Sequence, residues 1–161
     1  MRTGFVTSAV ILLAAVTIEA QRGTTVLQIN FPAQARVTFS ATSVTFPDAD
    51  PTTTPLVASV PADLNISVRA RVQRNSQVTL TVQSTDDLRS GVTVLPASLV
   101  TWTVTGSGYT GGTLSRSAPQ PVGRWTGSGV RDGTQNYRFE NRWTHPAGTY
   151  SVTLVYTLAS P

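Results

Sequence analysis

Cysteine and lysine are missing from this 161-residue sequence, and histidine and methionine occur once each. Without cysteine there is no disulfide and no thiolate-held metal, so the fold must stand on packing alone. The one histidine, His145, leaves zinc without enough nitrogen ligands. It stands just ahead of the turn Pro146-Ala147-Gly148, where a solvent-facing loop residue is expected rather than a catalytic base. Charged residues are scarce, at 12%. No glycine-rich phosphate loop leads from a strand into a helix. Asp48 with Asp50, and Asp86 with Asp87, could lend oxygens to calcium, but neither pair lies in a full ligand loop, and loop aspartates ordinarily serve turn hydrogen bonds. No enzyme activity, cofactor or metal centre is expected.

Long apolar runs are also absent. The longest, Ala9 to Val16, is well short of the roughly 20 residues a membrane-spanning helix needs. It follows Arg2 and precedes the small residue Ala20, the pattern of a secretory signal peptide over residues 1–20. An uncleaved N-terminal anchor is the alternative. Residues 21–161 then suit a single domain that is secreted or held in the cell envelope, with no transmembrane segment in the mature chain.

All 12 basic residues are arginine, and the formal net charge is +4. Cleavage near Ala20 removes Arg2 and Glu19 together and leaves that charge unchanged. Most arginines stand singly; only Arg69, Arg71 and Arg74, and the pair Arg138 and Arg142, come close in sequence. Such scatter aids solubility and gives no reason to expect nucleic acid as a partner. A cell-wall or surface polymer, or further copies of the chain, are the partners to consider.

What the sequence has in abundance is threonine, serine and valine, arranged with a period of two. β-Branched residues disfavour helix and fit a pleated surface. Leu27, Ile29 and Phe31 alternate with Gln28 and Asn30; Val37 and Phe39 follow, then Val44 and Phe46, then Leu56 to Val60. Leu64, Ile66, Val68, Ala70 and Val72 alternate with Asn65, Ser67, Arg69 and Arg71, so one side faces a core and the other water. Arg74-Asn75-Ser76 reads as a hairpin turn from which Val78, Leu80 and Val82 return. Asp86 to Gly91 reads as a loop with room for one helical turn. Further strands are expected at Leu99 to Thr105, Thr113 to Ser115, Val122 to Trp125, Tyr137 to Trp143 and Tyr150 to Leu158. About eight to ten short strands punctuated by turns predict an all-β fold, an antiparallel immunoglobulin-like β-sandwich, with a closed barrel as the alternative.

Two features carry functional expectations. Trp102 shares its strand face with Val100 and Val104, which suits core packing. Trp125 and Trp143 adjoin Gly/Ser-rich and Asn/Arg-rich sequence and are either half-buried core edges or, with Tyr109, a stacking platform for sugar rings. Leu27, Ile29 and Phe31 lie just behind the expected cleavage site. They form either a strand of their own sheet, the default, or an assembly strand added to the open edge of a neighbouring copy.

The C-terminal half also carries a resemblance. Its residues are Leu99-Val100-Thr101-Trp102-Thr103-Val104, Gly111-Gly112-Thr113-Leu114, Trp125-Thr126-Gly127-Ser128-Gly129, Tyr137 to Trp143, and the ending Pro146-Ala147-Gly148-Thr149-Tyr150 through Leu158. This stretch is similar to the WxL-type cell-surface domain, with Trp102-Thr103-Val104 answering to its first triplet and Tyr156-Thr157-Leu158 to its last. The resemblance implies a β-sandwich at the cell exterior, in contact with the wall.

Overall fold

Leu64, Ile66 and Val68 are buried while the alternating Asn65 and Arg69 are exposed, so the period-two pattern places one face of this strand against a core. A computed structural model describes residues 26–160, and the expected signal peptide lies outside the described residues. The described residues form 11 strands and one short 3-10 turn, Ala97–Leu99. Every ladder is antiparallel.

One sheet holds β1 (Gln34–Phe39), β3 (Leu64–Arg71), β10 (Gly129–Glu140), β7 (Val100–Thr105) and β8 (Gly112–Thr113) in that spatial order, with β2 (Leu56–Ala58) paired to the end of β10. The second holds β11 (Leu154–Ala159), β4 (Gln77–Ser84) and β9 (Gln120–Thr126), in that order. A separate hairpin is formed by β5 (Leu88–Ser90) and β6 (Thr93–Leu95). The result is an antiparallel β-sandwich. Ile66, Val68, Trp102 and Tyr137 from the first sheet share one buried cluster with Val78, Leu80, Val82, Val122 and Trp125 from the second.

Several local expectations are corrected. Arg74-Asn75-Ser76 does turn the chain, but β3 and β4 are not paired: the turn carries the chain from one sheet to the other. Asp86 to Gly91 is not a loop with a helical turn, because Leu88–Ser90 is a strand. β10 starts eight residues ahead of Tyr137, at Gly129. His145 is a loop residue but only partly open to solvent: its ring packs 5.7 Å from that of Phe139, and its Nδ1 is buried without a partner.

Phe31 begins the compact unit that contains all the strands, and Val26–Asn30 belong to the preceding one. The expected strand at Leu27, Ile29 and Phe31 is not formed: residues 26–33 carry no regular secondary structure and are exposed throughout.

Candidate functional site

A two-sheet sandwich has two long sides where its sheets end, and in this protein the two sides differ. One is sealed by the glycine-rich loop between β7 and β8. Gly106 and Gly108 take φ of 100° and 80°, a region open to glycine and strained for other residues. These turns bring the loop across to the outer edge of β9. There Thr110 N–H donates to the Val122 carbonyl at 2.8 Å and Arg124 N–H to the Gly108 carbonyl at 2.9 Å. The backbone groups of that edge thus find partners within the chain.

The loop also drives Tyr109 inward. Its hydroxyl shares its one proton between the carbonyls of Arg131, at 2.9 Å, and Ile66, at 3.2 Å. Its ring meets Trp125 edge-on at 4.9 Å. Gly133 makes this possible, since a Cβ there would stand 2.5 Å from the Tyr109 ring. Trp125 Nε1 donates to the Ser107 carbonyl at 2.8 Å and Trp102 Nε1 to that of Thr110 at 3.0 Å. The three residues of the expected sugar platform are therefore placed differently from one another. Tyr109 and Trp125 are buried parts of the seal, with their polar atoms directed at backbone, and neither offers a ring face. Trp143 alone of the three is exposed, at 74%, with its Nε1 donating to Thr52 Oγ1 at 3.0 Å.

The opposite side has no such seal. β1 pairs only with β3, and β11 only with β4, so among the described residues each has one strand edge without a ladder partner. The two edges are neighbours, with the rings of Phe39 and Tyr156 4.6 Å apart. Inward-facing residues along this seam are covered only in part. Val37 and Phe39 on β1, and Leu154, Tyr156 and Leu158 on β11, are half-buried. On the adjacent central strand β4 the equivalent residues Val78, Leu80 and Val82 are wholly buried. The seam is an unfinished part of the core.

An edge of this kind is normally protected by charge, proline or a bulge. β11 reads Leu-Val-Tyr-Thr-Leu-Ala and has no charge and no proline; β1 has Arg36 alone. In sequence, an apolar segment of matching pattern precedes β1: Val26, Leu27, Ile29 and Phe31 are 86%, 84%, 64% and 68% exposed. Phe31 carries the Arg71 guanidinium over its ring at 5.0 Å, a cation–π contact.

Behind the seam the sheets are tied by a polar chain. Tyr156 donates to Gln135 Oε1 at 2.7 Å, and its hydroxyl lies 2.5 Å from that of Tyr137. Since Tyr156 has spent its one proton on Gln135, Tyr137 is the donor in that contact. The loss of Tyr156 then leaves both neighbours unsatisfied, at about 1–3 kcal/mol each for a buried polar group. Tyr156→Phe is expected to destabilise more than Tyr137→Phe, which removes a donor and keeps the Tyr156–Gln135 bond. Urea unfolding of the two variants checks this order.

Burial pushes the Tyr156 hydroxyl up to about 12 and raises that of Tyr137 further. Burial also pushes Tyr109 up to about 12, with the nearby Asp132 charge adding to it. An unfolded chain releases these protons from about pH 10, so above that pH the unfolded state binds fewer protons than the folded one. Stability is therefore fully present below pH 10 and declines as pH rises through about 12. Unfolding midpoints measured across that window should fall, and Tyr137→Phe should make the fall shallower.

The seam residues were all expected as strand positions; that two such strands would end up as neighbouring open edges was not. No protein-family model matches the sequence, and no curated protein is similar to it.

Proposed function

We propose that this protein is a non-enzymatic structural subunit of an extracellular or cell-envelope assembly, in which copies are joined by addition of an N-terminal β-strand from one to the sheet edge of another. The carrying observation is the unfinished seam between β1 and β11 in a chain whose residues 26–31 expose alternate apolar side chains. An uncharged edge strand beside half-buried apolar residues is a template for strand addition. The signal-peptide pattern and the resemblance to WxL-type domains support the exterior location.

The chemistry of the surface supports a non-catalytic role. One hollow of about 560 Å³, beside β1, β3 and β10, is lined by apolar surface, including Phe39 and Ile66, and by threonine and serine side chains, with Asp132 as its only carboxylate. A lone carboxylate gives no acid–base pair. A second, of about 410 Å³, has Asp87 and Arg116, which are paired with each other at 3.2 Å. The neighbouring Asp86 is held down to about 2 by its hydrogen bond from Arg89, which keeps it charged and makes it a poor proton donor. Among the described residues no three or more acidic or histidine side chains cluster as a metal site would require.

Sedimentation of the mature chain over a wide concentration range tests the proposal. Species heavier than one chain, lengthening with concentration, are expected. A single chain at every concentration would sink it.

A further inference from the structure

Resting on the strand-addition reading, we infer that the segment before Phe31 enters the β1–β11 seam of another copy with Leu27 and Ile29 facing inward, and that the link to β1 prevents a chain from closing its own seam by a hairpin.

Side-chain parity comes first. Leu27 and Ile29 alternate with Gln28 and Asn30, so only one of the two possible parities puts apolar groups on the core side. In that parity they extend the row formed by Val37, Phe39, Leu154, Tyr156 and Leu158, whose half-burial is what the seam lacks. Gln28 and Asn30 then face water, beside the exposed Val155, Thr157 and Ala159 of β11.

The link decides between self and neighbour. Phe31 and Gln34, the first residue of β1, are separated only by Pro32 and Ala33. A two-residue hairpin needs positive φ at its first central position, in either of the favoured turn types. Proline is locked near −65°, and none of the described non-glycine residues has positive φ. The segment therefore cannot fold back tightly along the free edge of β1. Phe31, the third residue of the expected assembly strand, is held under Arg71. It marks the exit of the segment from its own subunit, which leaves Leu27 and Ile29 as the inserted pair.

Donor segment and acceptor seam are different surfaces of the same chain. Each copy offers one of each, so the contact is heterologous and propagates as an open chain or closes as a ring.

The absence of native cysteine makes thiol cross-linking unambiguous. Full-length Gln28→Cys is mixed with Val155→Cys, Thr157→Cys or Ala159→Cys, and separately with Arg124→Cys on the sealed β9 edge, under mild oxidation. Directly opposed residues on paired strands have Cβ atoms about 4.5–5.5 Å apart, close enough for a disulfide after small adjustment. At least one β11 position should give a disulfide-linked pair of donor and acceptor chains, and Arg124→Cys should give none. Heavy species in sedimentation without any β11 cross-link, or with equal cross-linking at Arg124, would overturn the assignment of the seam while leaving strand addition standing. No heavy species with any variant or with the unaltered chain would overturn both.

Discussion

Ile29→Asp should convert the assembled protein into folded single chains. In the proposed contact Ile29 passes from 64% exposure to the interior of a neighbour. Full burial of such a side chain is worth about 1.5–3 kcal/mol, and each 1.4 kcal/mol is about tenfold in affinity. Aspartate forfeits that gain and would also have to bury a charge, which costs several kcal/mol more. A loss of at least about a thousandfold in association is therefore expected. The fold of each subunit should be untouched, because Ile29 lies outside every strand and is exposed. Asn30→Asp, one residue on and facing water in the same contact, should leave association nearly intact. Sedimentation of the two variants beside the unaltered chain checks both statements; equal dissociation by both would contradict the parity.

Trp125→Ala should be far more damaging to stability than Trp143→Ala. Trp125 is 8% exposed, packs on Tyr109 and donates to the Ser107 carbonyl. Its removal opens a cavity in the sealed side, with a cost of about 3–5 kcal/mol for a buried aromatic residue. A domain of this size has only about 5–15 kcal/mol to lose. Trp143→Ala removes an exposed ring and one hydroxyl contact, so its cost should stay near the 0.5 kcal/mol typical of surface changes. Denaturant midpoints report the contrast. Two similar, small shifts would show that the loop carrying Tyr109 does not seal the core as described.

The strands with regular apolar alternation were legible in the sequence. Leu64 to Ala70 and Val78 to Val82 bury the residues their period predicts, because each has one face on the core. The first half of β10 was hidden. Its inward positions include Gly133, which makes room for Tyr109, and Gln135, which is buried to receive Tyr156. Neither residue carries an apolar signal, so the period was not visible until Tyr137. Tyr109 was misleading for a related reason: its glycine neighbours look like an exposed flexible loop, yet they are what lets the loop turn inward. For the candidate site, the apolar alternation of Leu27 and Ile29 could be read directly. The open seam could not, because an open edge is a property of strand order. Nothing in Val37-Thr38-Phe39 or in Leu154 to Leu158 says which strand lies beside it.

The same topology explains why one side of the sandwich is sealed and the other is left open among the described residues. Sealing the β9 edge takes a loop with two glycines in the left-handed region and a tyrosine anchored on two carbonyls. No comparable loop reaches β11 among the described residues. An uncharged edge left in this state is a hazard unless something regularly covers it, and a segment of the protein's own sequence has the composition to do so.

Light scattering on the chain beginning at Gln21, beside a chain beginning at Pro32, tests this account most directly. The first should give masses at several multiples of one chain, and the second a single folded chain. A first chain that remains at the mass of one copy over the whole concentration range would contradict it.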